Sequence, residues 1–373
     1  MIKEKQVVIL GLLSDTHENP NQAIERIVQI FISHGVEGII HFGDIEPKHV
    51  NQKLFANLPV YCALTDEQIK DNGPDFFKAP GWTFTVPGER VIKIGDDHYY
   101  VGHKRTWDFL VGSQSKFWEW IYGIRKELHN VWKFGSGHTH RQVFLRSGEV
   151  DFINPGAAKG SDGVAKGFEY AILNTDTGEI IFSRIQNPKP IAKPLKVAAI
   201  SDTLDVTVMN PPFWSRLAEK FHLEEVTHVI HCGNIYTDDI GKAELAGFQV
   251  HYILRHDQVD KKRKPDNWIL IQEENPIVKL NGYKFCVQMA MGPELFNKSE
   301  FQMHEMSKQI RLQFPEIQFL LSGSTPNAFY EEGENIILLN PGDASRYNNF
   351  AIIGLPGYDI TFGLITPAPL PPL

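Results

Sequence analysis

The 373 residues predict an α/β fold with mixed sheets, present twice in tandem. Three observations predict it. Near-continuous apolar runs alternate with segments of helical period, the pattern of parallel strands buried on both faces and joined by helices. Six stretches of the first half recur in order in the second half, at an offset of 186 to 190 residues. The segment NPKPIAKP at 187–194 separates the two series, and its prolines suit neither a central strand nor a helix interior.

In chain order, Gln6 to Leu13 is an apolar run expected to form a buried first strand. A secretion signal is disfavoured, because SDTHENP and no small-residue cleavage site follows. Pro20 to His34 places Ile24, Ile27, Val28 and Phe31 at helical spacing, with Gly35 as C-cap. Val36 to Phe42 is a second buried strand, which makes a βαβ unit with a parallel pair. A third strand precedes Thr65. Residues 90–101 predict a hairpin about Gly95-Asp96-Asp97, and 115–129 a helix. KFGSGHTHR reads as a strand running into a loop. GEVDFINPG and YAILNTDTGEIIFSRI read as antiparallel strands turning at Asp176-Thr177-Gly178.

The repeat pairs VILGLLSDTH (8–17) with LKVAAISDTL (195–204), IIHFGDI (39–45) with VIHCGNI (229–235), and VYCALTDEQ (60–68) with VHYILRHDQ (250–258). It continues through VIKIGDDHYYVGH (91–103) and IVKLNGYKFCVQM (277–289), GSGHTH (135–140) and LSGSTP (321–326), and INPGAA (153–158) and LNPGDA (339–344). Domains at 1–186 and 195–365 are expected, with a linker at 187–194, an extended proline-rich tail at 366–373, and the two halves packed together.

Hydrophobic residues make up 42% and charged residues 22%, which excludes wholesale disorder. The net charge of −8 and the lack of a basic stripe argue against long duplex nucleic acid as a partner. Lys261-Lys262-Arg263-Lys264 reads as a solvated loop. No apolar stretch approaches the roughly 18 residues of a membrane span. Cys62, Cys232 and Cys286 each lie in an apolar run, so buried thiols and a reducing, cytoplasmic location are expected.

Candidate ligands for cations fall just after the strands of the first half. Asp15-Thr16-His17 follows the first strand. Alternate residues of an extended segment share a side, so Asp15 and His17 are expected to face one ion. Gly43-Asp44 follows the second strand, Asp66 the third and His103 the next. Gly137-His138-Thr139-His140 repeats the i, i+2 spacing. Such loops lie where open α/β sheets hold ligands. One ion takes about four to six donors. These seven positions therefore suit two divalent transition-metal ions sharing a carboxylate. Imidazole and carboxylate without thiolate suit manganese first, with iron, zinc, cobalt or nickel as alternatives. A lone D-x-H arises by chance, and His34, His41, His49, His98 and His129 read as surface, capping or core residues. The ordered set carries the metal reading. Trp107, Phe109, Phe117, Trp118 and Trp120 read as core packing or an inter-domain contact rather than a stacking platform, with Phe117 and Trp120 sharing a helix face.

The series LSDTH, HFGDI, TDEQ, VGH, GHTH and INPGA resembles the calcineurin-like metallophosphoesterase superfamily, in particular its small bacterial and archaeal phosphodiesterases. The resemblance covers the first copy and reaches the second only through the repeat. It implies a two-sheet β-sandwich flanked by helices, with the metals at one sheet edge. Carried over residue by residue, Asp15, His17 and His140 would hold one ion, Asp66, His103 and His138 the other, and Asp44 would bridge. The implied activity is hydrolysis of a small phosphate ester, diester before monoester, by a metal-bridging hydroxide. Asp44, Glu67 and His138 would be the catalytic set. Lys104, Arg105 and Arg141, beside ligand loops, are candidates to clamp phosphate oxygens, with ordinary surface charge as the competing account. One departure stands out. Asp66 replaces the asparagine usual in the family, and Glu67 replaces the histidine that protonates the leaving group. Two nearby cations oppose the raised pKa that a carboxylic acid donor needs.

In the second copy Asp202 keeps the acid of Asp15. Leu204, Asn234, His256, Met289, Ser324 and Pro326 stand at the other six ligand positions. That half is expected to keep the fold without the metals, and to cap the site, pack against the first half or bind a partner. The alternative for the whole chain is a non-catalytic or weakly catalytic protein-binding scaffold on the same fold. A pure scaffold has no reason to keep the ligand set of the first copy.

Overall fold

A computed structural model describes residues 8–17, 21–72, 78–85, 90–103, 114–160, 167–185, 194–203, 212–233, 235, 243–254, 268–272, 275–288, 309–323, 327–332 and 336–365. The expected linker, apart from Pro194, and the expected tail lie outside them. So do Trp107, Phe109 and the basic run at 261–264. The chain divides into two compact units, built mainly from Met1–Leu145 with Glu149–Asn187, and from Pro188–Phe296 with Glu305–Leu373.

In the first unit β1 (Ile9–Leu13), β2 (Gly38–His41), β3 (Val60–Ala63) and β4 (Trp82–Thr85) are parallel neighbours. The apolar runs of β1 and β2 are buried, as strands covered on both faces require. Helix α1 (Asn21–Ser33) crosses from β1 to β2 and buries Ala23, Ile24, Ile27, Val28 and Phe31. Phe31 lies flat over Gly11, where a Cβ would stand 2.5 Å from its ring, and meets Tyr170 edge-on at 5.6 Å. The helix ends at Gly35 (φ 71°), where Gly35 N–H bonds Ile32 O and Val36 N–H bonds Phe31 O. This is the Schellman pattern that only glycine enters cheaply.

A short helix α2 (Asp66–Asn72) follows β3. The predicted hairpin is β5 (Val91–Ile94) and β6 (Asp97–Val101), turning at Gly95-Asp96. Helix α3 (Gln114–Glu127) leads to β7 (Val131–Gly135), which pairs in parallel with β6. Then come β8 (Gln142–Ser147), β9 (Val150–Pro155), β10 (Phe168–Asn174) and β11 (Ile180–Ile185). The first sheet of the unit runs β11-β10-β1-β2-β3-β4, with β10 antiparallel to both neighbours, and the second runs β8-β9-β7-β6-β5. Their inner faces meet where Phe144 packs on Phe182 and Phe42 covers Gly135. Phe117 is fully buried and packs edge-on against Phe152, while Trp120 meets Tyr100 and Phe134. Phe117, Phe134 and Phe152 are core, and Trp120 is half-buried against them.

The second unit has β12 (Leu195–Ile200), helix α4 (Phe213–Leu223), β13 (His228–His231), β14 (Gln249–Tyr252) and β15 (Trp268–Leu270). After them come β16 (Ile277–Leu280), β17 (Tyr283–Gln288), β18 (Phe319–Ser322), β19 (Ala328–Glu332) and β20 (Ile337–Asn340). Helix α5 (Ala344–Tyr347), β21 (Asn349–Leu355) and β22 (Asp359–Leu364) complete it. Its strands run β22-β21-β12-β13-β14-β15 and β19-β20-β18-β17-β16. Strand for strand, with the same parallel and antiparallel neighbours, this is the order of the first unit. The hairpin of β16 and β17 turns on Asn281-Gly282, both at positive φ, as a two-residue turn between right-twisted strands demands. All three cysteines are free and buried.

Candidate metal centre

The site lies at the C-terminal ends of β1, β2, β6 and β7, where each chain turns sharply. Asp15, His17, Asp44, His138 and His140 all take left-handed φ values, between 40° and 73°. Each such residue costs about 1 kcal/mol or more and persists only where its surroundings hold it. The strand register expected for Asp15 and His17 is therefore not what brings them together. The segment is not extended there, and two left-handed kinks turn both side chains to the same place. Asp15 N–H bonds Gly43 O and Thr16 N–H bonds Asp44 O, which ties the first loop to the second. Gly43 (φ 98°) runs so close to His103 that a Cβ would stand 2.8 Å from Nδ1.

Asp15 is fully buried. Its Oδ2 accepts from Ser14 Oγ at 2.5 Å and from the His138 backbone N–H at 2.9 Å. Its Oδ1 makes no hydrogen bond, yet His140 Nε2 stands 3.4 Å away and the Nε2 atoms of His17 and His103 3.8 Å. Burial raises the Asp15 pKa, but the His140 and His103 imidazoles and the Ser14 hydroxyl outweigh it and bring it down to about 2. His17 Nε2 lies 3.1 Å from His140 Nε2 and 3.3 Å from Asp44 Oδ2. His103 Nδ1 is 2.8 Å from Phe42 O; a carbonyl only accepts, so Nδ1 carries the proton and Nε2 presents a lone pair. Such a backbone partner is how metal-binding imidazoles are commonly oriented.

Two ligand groups result: Asp15, His17 and His140, and Asp15, Asp44 and His103, with the donor atoms of each within 4.8 Å of one another. The shared carboxylate is Asp15, while Asp44 touches the first group through His17. His138 and His140 part company: the His140 ring meets His17 at 5.1 Å and the His138 ring meets His103 at 5.3 Å. Asn154 Nδ2 donates to Gly137 O and Thr139 Oγ1 and so holds the loop that carries both. The orphaned Asp15 oxygen amid imidazole nitrogens fits a divalent cation, whose bonds to such donors are about 2.0–2.2 Å long.

Asp66 falls elsewhere. Thr65-Asp66-Glu67-Gln68 is a reciprocal capping box: Thr65 Oγ1 accepts from Gln68 N–H, and Gln68 Oε1 accepts from Thr65 N–H, both at 3.1 Å. Asp66 is the exposed first residue of α2 and belongs to neither ligand group. The T-x-x-Q spacing is the sequence signal of such a box. Gln68 Nε2 also donates to Ile45 O, linking α2 to the loop of Asp44. A cavity of about 380 Å3 opens beside the cluster, lined from the ligand loops by Asp44, His103 and His138, and from α2 by Glu67, Gln68 and Asp71. Arg141 is half-buried, one residue beyond His140. Lys104 and Arg105 lie outside the described residues.

The loops of the second unit repeat part of this. Asp202 also has positive φ, its Oδ2 accepts from Ser201 Oγ, and its N–H bonds Gly233 O. Leu204, Asn234, His256, Met289, Ser324 and Pro326 lie outside the described residues.

Residues 8–178 match the model of the calcineurin-like phosphoesterase superfamily domain. Over 158 residues, 40% of this chain and 84% of the relative, the sequence is 29% identical to Phosphodiesterase MJ0936 of Methanocaldococcus jannaschii. Similar solved structures include one described as a novel archaeal phosphodiesterase (TM-score 0.35, 16% identity, 46% of this chain and 100% of that one). Others are the phosphoesterase Yfce of E. coli (0.32, 18%, 48% and 92%) and Vacuolar Protein Sorting 29 of Cryptosporidium parvum (0.36, 16%, 49% and 94%). The N-terminal part of this chain is thus a calcineurin-like phosphoesterase domain.

Proposed function

We propose that the first unit is a phosphodiesterase working with two divalent transition-metal ions, manganese first. The observation that carries this is the buried, unbonded Asp15 Oδ1 with three imidazole Nε2 atoms around it. Asp15, His17 and His140 are assigned to one ion, and Asp44, His103 and His138 to the other, with Asp15 common to both groups. Asp66 is assigned to the helix start instead. Held there, such ions would activate water near neutral pH and offset charge on the phosphoryl oxygens. Ser14 and the His138 backbone fix the Asp15 carboxylate, Phe42 O fixes the His103 ring, and Arg141 is the described cation nearest in sequence for phosphate oxygens. Glu67, on the cavity wall, is assigned to the leaving alcohol.

The second unit is proposed to be a duplicate without the metals, a reading supported by the shared strand order and by the residues at its ligand positions. Elemental analysis of purified protein should find about two transition-metal equivalents per chain. Asp44→Ala should lower that number and abolish manganese-dependent hydrolysis of bis(4-nitrophenyl) phosphate. A protein that holds no such metal and leaves this ester intact would return the chain to the scaffold reading.

A further inference from the structure

Helix α3 buries one face and leaves the other open. Phe117 and Ile121 are fully buried, with Trp120 and Ile124 half-buried beside them. The opposite face carries Glu119, Tyr122, Gly123 and Lys126, all exposed. Their spacing of i, i+3, i+4 and i+7 sets them on one side of the helix. Tyr122 is 46% exposed, a large ring left in water, and the half-buried Trp118 stands against it at 6.1 Å. A Cβ on Gly123 would meet nothing within 4 Å, and its φ is not positive. Neither a close approach nor a left-handed turn calls for glycine there, and glycine inside a helix weakens it relative to alanine. Glu119 and Lys126 make no ion pair among the described residues. Seven positions hold them about 10 Å apart along the axis, beyond each other's reach.

The order acid, tyrosine, glycine, base complements itself when a second α3 is laid antiparallel on the first. With a twofold axis between positions 122 and 123, each Tyr122 ring meets Gly123 of the second copy, and each Glu119 meets Lys126 of the second copy. A parallel pair in register would set Glu119 against Glu119 and Lys126 against Lys126. We propose that this face binds the same face of a second copy of the chain, in an isologous contact centred on the open surface over Gly123. Glycine lets the two axes approach to about 8 Å, the near end of helix packing. Tyr122 supplies contact area, as aromatic anchors do at interfaces. The two charges fix the antiparallel sense. A contact centred on one 14-residue helix belongs with the small interfaces, below roughly 1,200 Å2, so the dimer is weak and concentration-dependent. This pairing stands apart from the hydrolase reading.

Sedimentation equilibrium of the full-length protein from about 1 to about 300 µM tests it. The average mass should climb from that of one chain toward that of two. Glu119→Lys and Lys126→Glu should each raise the dissociation constant roughly tenfold, since each sets like charges opposite one another at two symmetric places. An equimolar mixture of these two variants should associate as the wild type does, because every facing pair then has opposite signs; misfolded chains could not recover in this way. Gly123→Leu, which fills the slot for the tyrosine ring, should abolish association. A protein monomeric over the whole range overturns the inference. So does a dimer that either charge reversal leaves unweakened, or a mixture that associates no better than the single variants.

Discussion

Gly137 shows how tightly single residues are constrained. A Cβ there would collide with Ser14 Oγ and stand 2.7 Å from Asp15 Oδ2. Gly137→Ala must therefore push the Asp15 carboxylate out of place while leaving the strands intact. The expected result is unchanged circular dichroism with metal affinity weakened roughly 10- to 100-fold, the usual cost of disturbing groups that orient ligands. His231 makes a different point. Its Nδ1 accepts from Gly233 N–H and its Nε2 faces Thr203 Oγ1 at 2.9 Å, so the neutral ring is satisfied in full burial. Burial brings its pKa down to about 3 from 6.5. The ring must shed its proton to fold. Its contribution is complete above about pH 6.5 and is lost as pH falls toward 3, at about 1.4 kcal/mol per pH unit. His41, equally buried with a pKa also near 3, behaves the same way in the first unit. Thermal melts from pH 7.5 to 5 should show the loss, and His231→Gln should remove about half of it, leaving the share of His41; a melt independent of pH in this window would exclude the buried neutral rings.

Among the elements, α2 is informative because its opening reads in two ways. T-D-E-Q sits where the family carries a ligand and a proton donor, and it is equally a capping box. The hydrogen bonds favour the cap. Thr65→Ala should cost about 1 kcal/mol, visible as a lowered melting temperature, with metal content unchanged. Loss of metal in that variant would instead argue that this segment reaches the ions. The helix α1, by contrast, was plain from its apolar spacing and its glycine. Strands β4 and β8 escaped sequence reading, since four residues at β4 and a half-polar six at β8 give little period.

For the whole molecule, the proposed division of labour predicts an asymmetry. His138→Ala should abolish hydrolysis of an activated diester, and Asp202→Ala should leave both turnover and metal content near wild type. Asp202 keeps the hydroxyl partner, the left-handed turn and the tie to Gly233 that Asp15 has. What recurs there is the bracing of the loop. Equal damage from both substitutions would contradict the proposed inert second half.

Much of this protein could be read before any coordinates. Apolar runs mark buried strands because burial on both faces excludes polar residues, and D-x-H with G-H-x-H marks candidate ligands because few other chemistries need those side chains beside glycines. The order of strands in each unit and the distances at which the four loops meet could not be read that way. Both depend on contacts between residues far apart in the chain, such as Asp15 with His140. The left-handed turns that aim Asp15 and His17 are a further case. They are unfavourable locally and exist because neighbouring loops bond their backbone, a constraint that no short stretch of residues contains.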